Sequence, residues 1–284
     1  ETCFAGLDPP YKTQHYCSVM RFTMPRLLLS VLFVALACGP VVAQTKPTAP
    51  DIGEVARKYD LELVTKLPKF PIKLQSGKID GTEAGKADVD SYLPIFAFEW
   101  SLYPPDLVKR TGLKKVVFCQ NLAFEKQFRT GIPDFENNVL YLDVTRGRHD
   151  ERYVRKVIHH EFFHIIDLRD DGKLYEDERW SNLNPMGFKY GPGGAKLQND
   201  PTVTTTGKDE PGFLNRYATA GVEEDKAEVF AHMIVEPKMI AERAKKDKYV
   251  RAKVERMSEL LADFSPRVDK TFWEAVDKTE RPRK

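Results

Sequence analysis

The stretch RYVRKVIHHEFFHIIDLRDDG, residues 152–172, decides the fold, because it places three histidines and a glutamate inside an otherwise apolar run. A buried polar group without a partner costs about 2–7 kcal/mol. Asp150 can cap a helix at the start of this run, and Gly172 can end it. The apolar residues recur at helical spacing and predict a helix with one buried face; they are Val154, Val157, Ile158, Ile165 and Leu168.

Apolar, β-branched segments before this helix predict strands. They are KKVVFCQNL (residues 114–122) and NNVLYLDV (residues 137–144), each flanked by Gly, Pro or Asn. Residues 87–102 predict a helix closed by two prolines, followed by a short helix that ends at Gly112. The chain is again predicted to be helical from Glu223 onward. The sequence therefore predicts an α+β fold, in which a small sheet packs on a mainly helical body.

Charge and cysteine content exclude some classes of protein. The formal net charge is only +2 in 284 residues and the charges are interspersed, so the sequence shows no basic stripe for nucleic acid or an anionic membrane. After residue 43 the chain has one cysteine, Cys119, so this part has no internal disulfide. Because Cys119 lies in an apolar run, we expect a buried strand residue rather than a nucleophile.

Residues 20–43 have the layout of a secretory signal peptide. A short basic stretch precedes the apolar run LLLSVLFVALA, residues 27–37, and small residues at Val41 and Ala43 favour cleavage after Ala43. The apolar run is too short to span a bilayer comfortably. We therefore expect export to the periplasm or the exterior, with no membrane span once the signal is removed; lipid attachment at Cys38 is the less favoured alternative.

The signal peptide divides the rest of the chain. Residues 1–19 precede it and are expected to be upstream or mis-started sequence outside the fold. Residues 44–70 predict a linker or N-terminal extension, which begins with a segment rich in Thr, Pro and Ala. Residues 71–284 then form the predicted functional domain.

The motif His160-Glu161-Phe162-Phe163-His164 predicts a zinc site. Residues four apart on a helix share one face, so His160 and His164 can bind one metal ion with Glu161 beside it. His159 has no such partner, since the residue four positions on is Phe163. Zinc needs at least one more protein ligand, and a catalytic site keeps one position open for water.

Two residues compete for the third ligand position. Asp170 copies the spacing of an extended zinc motif, but the sharp turn of that motif needs a glycine where this chain has Asp167. The favoured candidate is Glu224 in GVEEDKAEVFAHM, residues 221–233. Glu228 lies four residues later on the same helical face, so one carboxylate can bind zinc while the other hydrogen-bonds a ligand histidine.

Several segments together resemble a known family. HHEFFH (159–164) followed by YATAGVEEDKAEVFAHM (217–233) resembles the gluzincin metallopeptidases, the thermolysin-like group that includes anthrax lethal factor. Three further segments resemble bacterial proteins described as "putative zinc-binding metallopeptidases"; they are YLPIFAFEWSLYPPDLVKRTGLKKVVFC (92–119), WSNLNPMGFKYG (180–191) and PGFLNRYA (211–218). The resemblance covers roughly residues 87–240.

This resemblance implies a zincin-like catalytic domain and a set of roles. It implies one zinc ion per chain held by His160, His164 and Glu224, with Glu161 as the base. It also implies that Glu228 supports a ligand histidine and that Tyr217 faces the oxyanion of the reaction. The interval from His164 to Glu224 is longer than in thermolysin, which leaves the shape of the cleft open.

The expected function is that of an exported zinc metallopeptidase, and more narrowly an endopeptidase, in which Glu161 takes a proton from a zinc-activated water. Two alternatives stay open. One is an extracytoplasmic zinc-binding or partner-binding protein that has lost hydrolysis, and the other is a metal-dependent hydrolase of a non-peptide amide. Residues 137–144 are either an edge strand that pairs with an extended peptide or protein substrate, or an ordinary strand inside the sheet.

Overall fold

Helices pack on a mixed β-sheet in the part of the chain that the structure describes. The computed structural model describes residues 48–66, 69–194 and 210–282, which fall within the compact unit Lys46–Lys284. The predicted upstream segment 1–19, the predicted signal peptide 20–43 and Cys38 lie outside these residues. The predicted α+β class is confirmed by this mixture of helices with a small mixed sheet.

Helices make up about half of the described residues. Their bounds are α1 Ile52–Tyr59, α2 Lys86–Ser101, α3 Pro105–Thr111, α4 Glu151–Asp171, α5 Glu178–Ser181, α6 Val222–Val235, α7 Pro237–Lys246, α8 Lys248–Phe264 and α9 Lys270–Asp277. One turn of 3-10 helix, Tyr217–Thr219, precedes α6. Within the described ranges, no helix combines the length and apolar character needed to cross a membrane.

The sheet is organised around one long strand. The strands are β1 Glu62–Val64, β2 Ile72–Leu74, β3 Gly77–Thr82, β4 Lys115–Phe124, β5 Gln127–Phe128, β6 Gly131–Asp134 and β7 Val139–Asp143. They run in the order β2–β3–β4–β7–β6, and β1 and β5 also pair with β4. The first half of β4 pairs in parallel with β1 and β7, whereas its second half pairs antiparallel with β3 and β5.

Side chains of β4 alternate between two cores, as expected for a strand buried on both faces. Val116 and Phe118 pack in the large core with the helices, and Val117 and Cys119 pack in a smaller core on the opposite face. Burial raises the pKa of the Cys119 thiol to about 12. The prediction of a buried strand cysteine is therefore confirmed, since a thiol that stays protonated is a poor nucleophile.

Strand β7 lies inside the sheet and not at its edge. It pairs with β4 on one side and with β6 on the other, for example Leu140 with Val116 and with Pro133. The edge-strand alternative for residues 137–144 is therefore wrong, and the ordinary-strand alternative is correct. All five residues of β7 are buried, which is typical of a strand covered on both faces.

Helix α4 begins and ends where its capping residues predict. The Asp150 side chain accepts a hydrogen bond from the Tyr153 backbone N–H at 3.0 Å. Gly172 follows the last turn at φ 82°, a left-handed conformation that glycine adopts without strain, and its N–H donates to the Leu168 carbonyl. These two caps fix the register of the helix that carries His160 and His164.

Part of the predicted N-terminal extension is built into the sheet. Within residues 44–70 the structure contains α1 and β1, and β1 pairs with β4 through Leu63 and Val116. The Tyr59 hydroxyl donates to the Tyr103 carbonyl at 2.8 Å, which ties α1 to the loop after α2. The folded part of the chain therefore begins before residue 71.

A buried carboxylate joins α2, α4 and the C-terminal segment. Glu99 is fully buried and accepts hydrogen bonds from Arg155, from Arg281 at 2.9 and 3.1 Å, and from His159 at 2.9 Å. Burial alone would raise the pKa of Glu99, but His159 and Arg281 hold it at about 2. Two guanidinium groups thus share this buried carboxylate, and Arg155 also pairs with the less buried Glu151.

We expect Glu99→Ala to destabilise the protein by about 3–5 kcal/mol, because it leaves Arg155 without its buried carboxylate. The free energy of unfolding in urea measures this effect. The control is Lys86→Ala, which removes an exposed pair with Asp90 and should change stability by less than about 1 kcal/mol. Equal effects of the two substitutions would show that the Glu99 cluster does not hold these elements together.

Candidate metal centre

Two imidazoles face each other on α4. His160 and His164 lie one helical turn apart, and their Nε2 atoms are 3.2 Å from each other. Both residues are buried, at 7% and 8% exposure. Helix α4 has its most extensive helix contact with α6, so α6 is the first place to look for partners of these nitrogens.

Glu224 on α6 supplies the third converging atom. Its Oε2 lies 3.0 Å from His160 Nε2 and 3.6 Å from His164 Nε2. Among the His, Cys, Asp and Glu side chains that the structure describes, these three residues form the group whose ligand atoms converge, within 4.8 Å of one another. The structure thus brings together the three residues that were predicted as zinc ligands.

The separations are close to those around a tetrahedral zinc ion. Zinc bonds of about 2.0–2.2 Å at tetrahedral angles place ligand atoms about 3.3–3.6 Å apart. The three separations are 3.0, 3.2 and 3.6 Å, so one lies within this range and two lie slightly below it. Nitrogen and carboxylate donors are a common zinc set, and three protein ligands leave one position for water or substrate. The residues present therefore fit a catalytic type of zinc site.

The local charges favour a cation at this point. Burial on its own would lower the pKa of His160, but the carboxylates of Glu224 and Glu228 hold it well above its usual range. Burial would raise the pKa of Glu224, yet hydrogen bonds with His160 and His164 hold it well below its usual range. The cluster therefore stabilises positive charge among its ligand atoms, as a metal centre must.

Glu228 lies behind His160. Its Oε1 is 3.1 Å from His160 Nδ1, a close ionic contact whose direction falls short of a good hydrogen bond. Burial opposes ionisation of Glu228, but His160 holds its pKa at about 2. A carboxylate on the far nitrogen of a ligand histidine orients the ring and makes it a better donor. By contrast, His164 Nδ1 is buried with no hydrogen-bond partner among the described residues.

Tyr217 lies over the same carboxylate from the other side. Its hydroxyl donates to Glu224 Oε1 at 2.8 Å, while Glu224 Oε2 faces the histidines. Burial and the neighbouring Glu224 raise the pKa of Tyr217 well above its usual range, so the hydroxyl stays protonated and remains a donor. The tyrosine expected at an oxyanion thus lies within reach of a ligand oxygen.

Glu161 stands beside the converging group without belonging to it. It is half-buried, and burial raises its pKa although His160 and His164 oppose the change. The Cα of Gly131, the first residue of β6, lies so close that an added Cβ would collide with Glu161 Cγ. The sheet edge and the predicted base are therefore direct neighbours.

Two other polar residues of α4 lie away from the cluster. Asp170, the competing candidate for third ligand, is exposed near the end of α4 and is absent from the converging group. His159 is fully buried, with Nδ1 at the Tyr103 hydroxyl and Nε2 at Glu99. The sequence placed His159 outside the metal-binding pair, but it did not predict this buried carboxylate partner.

Sequence reasoning missed three residues that contact the site. Gly131 contacts Glu161, and Gly194 lies where an added Cβ would collide with Glu224 Oε1 and the Tyr217 hydroxyl. Asn215 donates to Glu228 Oε2 at 2.6 Å. No single-sequence signal marks the two glycines, since neither belongs to a motif. Asn215 lies within PGFLNRYA, and its position two residues before Tyr217 was the available signal.

Taken together, two imidazoles and a carboxylate on packed helices, with a second carboxylate beside them, define the class of site as a candidate zinc centre of the catalytic type. Residues 132–264 match the model of a family described as "Putative zinc-binding metallo-peptidase", a range that contains the whole cluster. The predicted resemblance to that kind of protein is confirmed at this level, whereas the gluzincin subtype stays a prediction.

One solved structure gives a comparison of folds. It is described as a "putative zinc-binding metallo-peptidase from Bacteroides caccae ATCC 43185", and it aligns with a TM-score of 0.52 at 17% sequence identity. The alignment covers 79% of this chain and 89% of that chain. At this identity the likeness shows a shared fold. Comparison with curated proteins found no match.

The third ligand can be tested through zinc content. We expect Glu224→Gln to lower zinc occupancy clearly, because it removes the negative charge of the one converging carboxylate. Asp170→Asn should leave occupancy unchanged, because Asp170 is exposed and outside the group. Elemental analysis of the two purified variants measures this. The opposite ranking would remove Glu224 from the site.

Proposed function

We propose that this protein is an exported zinc-dependent metallopeptidase with a zincin-like catalytic domain, and that it cleaves within extended peptides as an endopeptidase. The observation that carries the proposal is the convergence of His160, His164 and Glu224 with Glu161 beside them but outside the ligand group. A purely structural zinc site closes with four protein ligands and needs no adjacent base. The signal-peptide pattern of residues 20–43 supports export.

His160, His164 and Glu224 would hold the ion, and Glu228 would keep the His160 ring in place. A bound zinc ion supplies Lewis acidity, which makes a water more acidic and polarises a substrate carbonyl. Glu161 takes the proton from the attacking water. The carboxyl group then returns that proton to the departing amine, so that the base is restored at the end of the reaction.

Tyr217 contributes a neutral hydrogen-bond donor. Its hydroxyl is held at Glu224 Oε1, and its raised pKa keeps the proton in place at neutral pH. As the carbonyl carbon is attacked, negative charge develops on its oxygen, and a fixed donor stabilises that charge more than the ground state. We propose that this hydroxyl turns from Glu224 towards that oxygen during the reaction.

Strand β6 is our candidate for the substrate-binding edge. It stands last in the strand order and Gly131 contacts Glu161, so the edge passes beside the base. An extended peptide that added to β6 would gain main-chain hydrogen bonds, which give affinity without requiring one side chain. Because β6 is short, a bound peptide can continue past both of its ends. Cleavage would then fall within the peptide, as expected for an endopeptidase.

The base can be tested with an isosteric change. We expect Glu161→Gln to keep zinc bound and to lower peptide hydrolysis by about 100- to 10,000-fold, because the amide cannot accept the proton. Zinc content and hydrolysis of a fluorogenic peptide library, with and without a chelator, measure this.

Three outcomes would change the proposal. Equal chelator-sensitive activity in the wild type and in Glu161→Gln would rule out Glu161 as the base. Zinc binding by both proteins without hydrolysis across the library would favour the zinc-binding or partner-binding alternative. Hydrolysis of non-peptide amides alone would favour the alternative of a metal-dependent hydrolase of a non-peptide amide.

The role of Tyr217 can be separated from its contact with Glu224. At saturating zinc, we expect Tyr217→Phe to lower kcat and kcat/KM together by about 10- to 1,000-fold, on the scale of losing one oxyanion donor. If the hydroxyl acted only by holding Glu224, zinc affinity would fall and turnover at saturating zinc would be normal. Steady-state kinetics across a zinc titration distinguish the two, and unchanged kcat would remove Tyr217 from the reaction.

A further inference from the structure

The side chain of Asn215 makes two hydrogen bonds behind the metal centre. Asn215 lies two residues before Tyr217 and is partly buried. Its Oδ1 accepts a hydrogen bond from the Ala218 backbone N–H at 2.9 Å. Its Nδ2 donates to Glu228 Oε2 at 2.6 Å. One carboxamide therefore connects the turn that carries Tyr217 with a carboxylate on α6.

Each of these bonds leads to a predicted zinc ligand. The bond to Ala218 orders the Tyr217–Thr219 turn, from which the Tyr217 hydroxyl reaches Glu224 Oε1 at 2.8 Å. Glu228 uses Oε2 for Asn215 and Oε1 for His160, at 3.1 Å from Nδ1. Two ligands on different helices are thus supported through the same side chain.

The chemistry of the two partners requires an amide at this position. A backbone N–H needs an acceptor and an ionised carboxylate needs a donor, and of the short side chains asparagine carries both on one planar group. This requirement also fixes the amide orientation, since the reversed amide would place donor against donor and acceptor against acceptor. Aspartate offers only acceptors and would face Glu228 with a like charge.

The loop that carries Asn215 is anchored from the opposite side. Gly212 N–H donates to Asp247 at 2.7 Å, and the buried Lys253 donates to the Gly212 carbonyl at 2.7 Å. Asn215 is therefore held in place by α8 and its cap, and it can transmit that position to Glu228.

We propose that Asn215 is a positioning residue of the zinc centre, which holds Glu228 against His160 and orders the turn that places Tyr217 at Glu224. This inference rests on the proposed zinc site. It predicts that the affinity for zinc depends on the donor at position 215, although Asn215 does not contact the converging atoms. A residue that merely ordered the loop would change stability and leave zinc affinity alone.

The test is Asn215→Asp, which keeps the size and the acceptor for Ala218 but loses the donor to Glu228. We expect the zinc dissociation constant to rise on the order of tenfold or more, as for other groups that orient a metal ligand. Competition with a fluorescent zinc chelator measures it. If the aspartate variant fails to fold, Asn215→Ser replaces it in the test. This change removes the contact with Glu228 without adding charge, and it should give a smaller loss of zinc affinity.

A second substitution provides a rescue. In the double variant Asn215→Asp, Glu228→Gln, the new amide at position 228 can donate to the new carboxylate at position 215. Its amide oxygen still faces His160 Nδ1 and can accept from it. We therefore expect the double variant to bind zinc more tightly than Asn215→Asp alone, with the Tyr217 turn still capped.

The matched control is Asn137→Asp. Asn137 Nδ2 donates to Asp134 Oδ2 at 2.8 Å in the β6–β7 turn, so this change creates the same conflict between carboxylates at a position outside the converging group. It should lower the melting temperature and leave zinc affinity unchanged. If Asn215→Asp behaves like this control, the positioning role is overturned. If the wild type itself binds no zinc, the proposed zinc site fails, and the inference about Asn215 fails with it.

Discussion

The packing of α4 against α6 is the constraint on which the site depends. It brings two imidazoles and a carboxylate into a space where all three are more than nine-tenths buried. Burial of such groups is unfavourable unless each finds a partner of opposite charge or a metal ion. Here the far side of the cluster is also occupied, because Glu228 lies behind His160 and Tyr217 lies against Glu224. The same polar contacts that satisfy the buried groups therefore define the chemistry of this interface.

The first turn of α6 shows how the direction of Glu224 is fixed. Four consecutive charged residues, Glu223 to Lys226, are buried, although such a run is usually found on a solvated face. Asp225 accepts from Trp180 at 2.9 Å and from Tyr190 at 2.6 Å, and it pairs with Lys253 at 2.7 Å.

Lys226 pairs with Asp167 on α4 and with Asp177 in the following loop. Successive helical residues point about 100° apart, so contacts in several directions leave one rotation of the helix that satisfies them all. Buried ion pairs of this kind contribute little net stability, and we assign these a role in specifying that rotation. The rotation in turn determines where the Glu224 carboxylate lies.

Local sequence signals predicted the helices and strands. Features that depend on contacts between distant segments could not be predicted in this way. The caps at Asp150 and Gly172 bounded α4 correctly, and the β-branched runs located β4 and β7, because these signals act within a few residues. The order of strands in the sheet is set by pairing between distant segments, so the sequence left open whether β7 is an edge strand, and the structure places β6 at that edge. Glu99 and His159 are 60 positions apart, and no local period connects them.

The same distinction applies to the site, where spacing along each helix could be predicted and contact between the helices could not. Spacing on one helix places His160 and His164 together, and spacing on another pairs Glu224 with Glu228, but only packing shows that the two helices meet. The glycines of the site were the hardest residues to predict from the sequence. Gly131 and Gly194 each place bare backbone against a carboxylate of the candidate site, Glu161 in one case and Glu224 in the other. A side chain at either position would displace the carboxylate, so close approach of the backbone confines each group without adding a polar partner that would compete for it.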